Sequence, residues 1–171
     1  LHLLGRTKDM HIYSPKGLKE IVELQHHYSE TYLNFQLIFN ELNTTISETI
    51  YEDDTVIIET IPLDHRIPCA GFLFTEMPME RNVRKEKLAE YKIHFSEIHG
   101  IKAGNDIVKN GVTIPNSELT VTPPSPISYA YCSDTKYNES IIGKIKGIDL
   151  LYHEATIDMQ KEVRAKEPNH S

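Results

Sequence analysis

The chain has 171 residues, with 18 Lys and Arg against 25 Asp and Glu, a formal net charge of −7, and 39% hydrophobic residues with no tryptophan. That length supports one domain with a core of its own and leaves little for a second, and the acidic balance excludes a surface that holds nucleic acid by charge throughout. No apolar run approaches the ~20 residues a membrane helix needs and no signal pattern opens the sequence. With Cys69 and Cys132 both inside apolar stretches and read as buried free thiols, these features lead to the expectation of a cytoplasmic protein with no membrane contact.

The sequence opens at Leu1 in mid-pattern without a methionine and stops at Ser171, a residue suited to capping a helix. It is expected to be an internal piece of something longer. Residues 9–13 predict a short strand closed by Ser14-Pro15, with Pro15 where the first turn of a helix tolerates it. Leu18, Ile21, Val22 and Leu24 then mark an amphipathic helix reaching about Gln25. His26 and His27 follow at its end, where imidazolium interacts favourably with the helix dipole, a metal role for the pair being the lesser reading. Leu33, Phe35, Leu37 and Phe39 alternate with Asn34, Gln36 and Ile38, which predicts a half-buried strand. Residues 51–54 read as a turn and the β-branched run 55–61 as a second strand. Residues 69–74 read as the next strand, with Gly71 where backbones approach closely. Between those two strands Asp64 and His65 stand on a turn held by Pro62 and Pro68.

Residues 75–126 differ in character. Between Glu80 and Lys102, the cations Arg81, Arg84, Lys85, Lys87, Lys92 and Lys102 outnumber Glu80, Glu86, Glu90 and Glu97, so this part is net positive within an acidic chain. Its apolar residues are sparse, and Gly100, Gly104, Gly111 and Pro123-Pro124-Ser-Pro126 punctuate it. About fifty such residues between two strands read as an excursion from the domain. The excursion is either a solvated, ion-paired helix or an RNA-contacting arm.

Two apolar runs after it end abruptly in residues suited to chemistry. Residues 129–132 lead into Asp134, and residues 150–152 lead into His153 and Glu154; residues 140–147 between them carry Ile141, Ile142 and Ile145 at helical spacing and stop at Gly147. Residues 159–166 are charged and helix-permissive. Functional groups gather at the carboxyl ends of buried strands, so two such ends in succession, with His65, predict one site. Imidazole with carboxylate suits zinc or a similar divalent ion, and two ions about 3.5 to 4 Å apart clamp a phosphodiester and activate water. The other histidines form no His-x-His arrangement, so the set is incomplete within this sequence.

Pro62-Leu-Asp-His-Arg-Ile-Pro-Cys-Ala-Gly-Phe72, Tyr131-Cys-Ser-Asp-Thr-Lys136 and Leu151-Tyr-His-Glu-Ala-Thr156 resemble three successive motifs of ribonuclease Z, the transfer-RNA 3′-processing endonuclease of the metallo-β-lactamase superfamily. Leu3-Leu-Gly-Arg-Thr7 and His11-Ile-Tyr-Ser-Pro-Lys-Gly-Leu-Lys-Glu-Ile21 are similar to the segment after that family's H-x-H-x-D-H motif, and His170-Ser171 to the start of its His-Ser-Thr helix. The resemblance implies an α/β fold: a single metallo-β-lactamase-like αβ/βα sandwich over residues 1–171, partial at both ends, with an inserted exosite arm at residues 76–122. It implies His65 as a zinc ligand and Asp134 as the carboxylate bridging two zincs, other divalent ions being possible. His153 would contact the scissile phosphate and help protonate the leaving 3′ oxygen, and Glu154 would orient it. The arm's cations Arg81, Arg84, Lys85, Lys87, Lys92 and Lys102 would grip precursor transfer RNA, and a homodimer is implied. The arm lacks the family's Gly-Pro pair; Gly100-Ile-Lys-Ala-Gly104 stands in its place. The H-x-H-x-D-H motif would fall before Leu1 and the last histidine ligand after Ser171, so the fragment alone is expected to be inactive. The leading expectation is a zinc-dependent endoribonuclease that removes 3′ trailers and leaves a 3′ hydroxyl. The alternatives are another phosphodiesterase or esterase of the same fold, and a non-catalytic RNA-binding fragment with a vestigial site.

Overall fold

The computed structural model describes residues 4–155, which form two compact units. One comprises residues 4–75 and 128–155, the other residues 76–127. No helix among the described residues is long and apolar enough to cross a membrane.

In the first unit, β1 (Met10–Ser14) pairs in parallel with β2 (Leu37–Glu41), Met10 opposite Leu37, and α1 (Leu18–Tyr28) connects them. α1 runs past Gln25 to include His26 and His27 in its last turn; Glu30 then takes a φ of 48° and Thr31 donates its N–H back to the His26 carbonyl. The strand expected over residues 33–39 begins only at Leu37. Phe35 is buried ahead of it, so the alternation before Leu37 reports packing of a loop rather than a ladder.

The main sheet has five strands, in the order β11 (Leu150–His153), β10 (Ser128–Cys132), β5 (Ala70–Glu76), β4 (Val56–Pro62) and β3 (Thr49–Glu52). β3 (Thr49–Glu52) and β4 (Val56–Pro62) form a hairpin, followed by β5 (Ala70–Glu76). Tyr51 and Glu52, expected in a turn, belong to β3. The corner falls at Asp53, whose Oδ1 accepts the N–H groups of Thr55 and Val56 and the Thr55 hydroxyl, while Oδ2 accepts the Tyr51 hydroxyl. Four donors stabilise the ionised carboxylate, and its pKa falls well below the usual range. β10 (Ser128–Cys132) runs antiparallel to β5, Tyr131 opposite Phe72, and parallel to β11 (Leu150–His153), Cys132 opposite His153. A 3₁₀ turn (Glu139–Ile141) and α5 (Ile142–Ile145) make the right-sized crossover for a parallel neighbour. Ile61, Leu73, Ala130, Cys132 and Ile141 form the core, with Leu63, Ile145 and Ile148 against them.

The second unit contains β6 (Asn82–Val83), α2 (Lys85–Glu90), α3 (Phe95–Lys102), β7 (Ile107–Lys109), β8 (Val112–Ile114), α4 (Asn116–Leu119) and β9 (Thr120–Val121). Although its apolar residues are few, Ile101, Ile107, Ile114 and Leu119 converge into a core of their own, flanked by Val83, Tyr91 and Ile93. Buried Asn116 holds it together: Nδ2 donates to the Ile101 and Asn105 carbonyls, and Oδ1 accepts the Thr120 hydroxyl. Gly104 ends α3 with a φ of 98° and donates to the Ile101 carbonyl, a left-handed helix stop that glycine makes without strain.

Candidate active site

The register of β5, β10 and β11 decides which loops meet. β10 is antiparallel to β5 and parallel to β11, so the loop entering β5 (residues 63–69), the loop leaving β10 (residues 133–138) and the residues after His153 lie at the same end of the sheet. Hydrogen bonds tie the three together. Asp64 donates its N–H to the Thr135 hydroxyl oxygen at 3.1 Å, and Lys136 donates its N–H to the Asp64 carbonyl at 2.9 Å. The Lys136 ammonium stands 2.9 Å from the Asp64 carboxylate. The Glu154 carboxylate accepts the Thr135 N–H, and the Glu154 N–H donates to the Cys132 carbonyl at 3.1 Å. Thr135 is fully buried at the centre of this clasp.

Asp134 has a φ of 58°, a left-handed conformation rare for residues other than glycine but tolerated best by Asn and Asp. The turn leaves its side chain exposed while its carbonyl accepts the Cys69 thiol at 3.2 Å. Cys69 is therefore not buried as expected; it is half-buried on the rim of this site, whereas Cys132 is fully buried beneath it. Burial pushes the Cys69 thiol pKa up, and the negative charges of Asp134, Glu154 and Asp64 push it further.

His153 ends β11 and Glu154 follows it. The His153 ring places Nδ1 2.7 Å from the Glu154 carbonyl oxygen. A carbonyl only accepts, so Nδ1 carries the proton and Nε2 is left to exchange one. His65 is half-buried in the loop before β5, with Nδ1 3.4 Å from the Ile67 nitrogen. The sequence reading placed His65, Asp134, His153 and Glu154 at one site, and all four lie at this end of the sheet; it missed the Thr135 clasp and the Asp64–Lys136 pair. Both motifs contain those residues, but nothing local signals a contact across 71 positions. The expectations for residues 159–166 and for His170-Ser171 lie outside the described residues.

The arm's cations divide into two groups. Arg81 is spent on the Thr120 and Thr122 hydroxyls, Arg84 on the Thr120 carbonyl, Lys87 on Glu90 and Glu118, and Lys102 on Glu80. Lys85 and Lys92 are exposed. Over residues 76–127 seven Lys and Arg meet seven Asp and Glu, so the positive excess read from residues 80–102 does not extend to the unit as folded.

No family model matches the chain. Ribonuclease Z of Bacteroides thetaiotaomicron is 46% identical over 171 residues, which cover 99% of this chain and 54% of that protein. Ribonuclease Z of Cytophaga hutchinsonii is 42% identical over 173 residues, covering 100% of this chain and 55% of its own length. The chain is a homologue of ribonuclease Z. It spans about half the length of the curated ribonuclease Z relatives it matches. Human tRNase Z, short form, superposes with a TM-score of 0.56 at 20% identity, over 95% of this chain and 52% of that one. The likeness assigns the α/β metallo-β-lactamase fold.

Among the described residues no group of three or more His, Cys, Asp or Glu is arranged to hold a metal ion. His65 and Asp134 alone do not fit a two-ion centre, which needs several donors on each ion.

Proposed function

We propose that this chain serves a metal-dependent endoribonuclease of the ribonuclease Z type, which hydrolyses the phosphodiester 3′ to the mature end of precursor transfer RNA and leaves a 3′ hydroxyl. The observation that carries the reading is the convergence of the three motif loops at one sheet end, in a chain 46% identical to a ribonuclease Z. In this reading His65 and Asp134 are donors to zinc and the remaining donors come from outside the described residues. Zinc as the metal and a homodimer are parts of the proposal that the family resemblance supports; a cytoplasmic location is the part that rests on the two cysteines being free thiols.

The chain's own residues supply two functions. Protonated His153, held at Nδ1 by the Glu154 carbonyl, gives its Nε2 proton to the departing 3′ oxygen as the phosphorus–oxygen bond breaks and water adds to phosphorus. Glu154 and Thr135 hold the loop that carries Asp134 against the strand that carries His153. The exposed Lys85 and Lys92, rather than the engaged Arg81 and Arg84, are the arm cations free to meet phosphates.

The test is a chimera in which these residues replace the aligned segment of the Bacteroides thetaiotaomicron relative. It is expected to cleave precursor transfer RNA. His153→Gln is expected to cut kcat by about 10²-fold or more, and Lys85→Ala with Lys92→Ala to raise KM with little change in kcat. A folded chimera that cleaves a small phosphodiester well, but no precursor RNA, overturns the reading.

A further inference from the structure

A phosphodiester brings negative charge to an end of the sheet whose clasped loops already carry Asp64, Asp134 and Glu154. Over residues 63–69, 133–138 and 153–155 the only Lys or Arg are Arg66 and Lys136. The two cations are held in different ways.

Lys136 is fixed in place. Its N–H donates to the Asp64 carbonyl at 2.9 Å and its ammonium stands 2.9 Å from the Asp64 carboxylate, the two side chains being 43% and 48% exposed. An ion pair that open to water contributes little to stability, and Thr135 already joins the two loops through the Asp64 N–H. What the pair does is restrain a long, flexible side chain, so that part of the ordering a ligand would otherwise impose is met in advance. An ammonium has three donors and no acceptor; the Asp64 carboxylate engages one side of it, and its exposure leaves the rest to a second anion.

Arg66 follows His65, is exposed, and makes no hydrogen bond or ion pair among the described residues. Its backbone is nevertheless fixed. The loop is tied ahead of it by Asp64 to Thr135 and Lys136, and after it by the Cys69 thiol to the Asp134 carbonyl. A guanidinium fork on such a loop fits two phosphate oxygens at once.

We propose that Arg66 and Lys136 bind the RNA backbone phosphates next to the bond that is cut, Lys136 as a placed point charge and Arg66 as a two-pronged clamp. Asp64 is the positioning residue for Lys136. The inference rests on the endoribonuclease reading and adds to it a phosphate contact in the motif loops themselves, besides the arm cations Lys85 and Lys92.

The salt dependence of cleavage tests it. In the chimera with the Bacteroides thetaiotaomicron relative, kcat and KM for precursor transfer RNA are measured over a range of salt concentrations. Arg66→Met and Lys136→Met are each expected to raise KM about fivefold to tenfold with kcat within about twofold, and to lower the slope of log KM against log salt concentration by about 0.7, the release of one phosphate contact on a single strand. Lys136→Arg keeps the charge and the slope. Asp64→Asn also keeps the slope, because the ammonium remains. Lys146→Ala, exposed at the opposite end of β11 from His153, leaves KM and slope unchanged. On a precursor with uncharged methylphosphonates at the linkages next to the cut, the two Met substitutions are expected to add no further loss. A folded chimera that cleaves precursor RNA but keeps its salt slope in either Met variant overturns the inference and leaves the endoribonuclease reading standing. So does an Asp64→Asn variant that matches Lys136→Met in both KM and slope, which would make the pair a structural tie. A folded chimera that cleaves no precursor RNA overturns both.

Discussion

Replacing Thr135 by valine keeps the volume of a fully buried side chain and deletes one oxygen. That oxygen accepts the Asp64 N–H at 3.1 Å and donates to the Lys136 carbonyl at 2.9 Å, joining the loop before β5 to the loop after β10. A buried polar group stripped of its partner costs about 1 to 3 kcal/mol. Asp64 is exposed and Lys136 half-buried, so water reaches part of what is lost and the cost falls towards the lower end, about 1.5 kcal/mol. That is roughly a tenfold change in the local opening equilibrium. Native-state hydrogen exchange reads it directly: the Asp64 amide in Thr135→Val is expected to exchange about tenfold faster than in the wild type. An Asp64 amide that exchanges within about twofold of the wild-type rate, in a variant that is folded, would refute the clasp. A lowered denaturation midpoint with that amide unaffected would assign the hydroxyl's contribution to some other contact.

Gly71→Ala would bring a Cβ to 2.6 Å from the Tyr131 carbonyl oxygen, a backbone atom that cannot swing aside, so β5 and β10 must separate. A loss of about 2 to 3 kcal/mol in urea denaturation is expected, and a variant as stable as the wild type would show that the strands are not held so closely. Asp149 accepts the Ser128 hydroxyl and N–H, which hold its carboxyl below the usual 3.8. Its contribution is complete above that value and is lost as pH falls through the lower folded pKa. The urea midpoint of the wild type should therefore drop more than that of Asp149→Asn between about pH 5 and about pH 2.5; parallel curves would remove Asp149 from the acid response. Asn116→Ala leaves the Ile101 and Asn105 carbonyls and the Thr120 hydroxyl without this partner, and is expected to destabilise residues 76–127 by about 2 to 3 kcal/mol. Exchange in that unit should quicken while the amides of β4 and β5 keep their rates, and equal acceleration in both would show that the two units unfold together.

The elements legible in the sequence were those whose signal is local. β4 is a run of β-branched residues, α1 repeats its apolar positions at helical spacing, and β10 and β11 are short apolar runs cut off by Asp134 and His153. The corner at Asp53 was legible only in part, because an aspartate can cap a turn on either side of itself, and the choice depends on which N–H groups the strands leave unpaired. The core of the second unit was not legible. Ile101, Ile107, Ile114 and Leu119 sit in four different elements and share no period, so nothing short of the folded unit shows that they touch. Nor could a charge count distinguish Arg81 and Arg84, committed to Thr120, from Lys85 and Lys92.

By itself the sequence marked β4, α1, β10 and β11, singled out His65, Asp134, His153 and Glu154 as candidates and carried the motifs that hold them, since each depends on neighbours within a few positions. The tertiary structure alone decided that the loops of Asp64, Asp134 and Glu154 share one sheet end, that buried Thr135 joins them, that Cys69 lies on their rim and that β11 is the last strand of the sheet among the described residues. Those facts follow from the direction and order in which β5, β10 and β11 pair. Pairing direction is set by long-range backbone hydrogen bonds, which every residue but proline can make alike, and so leaves no mark in residue type.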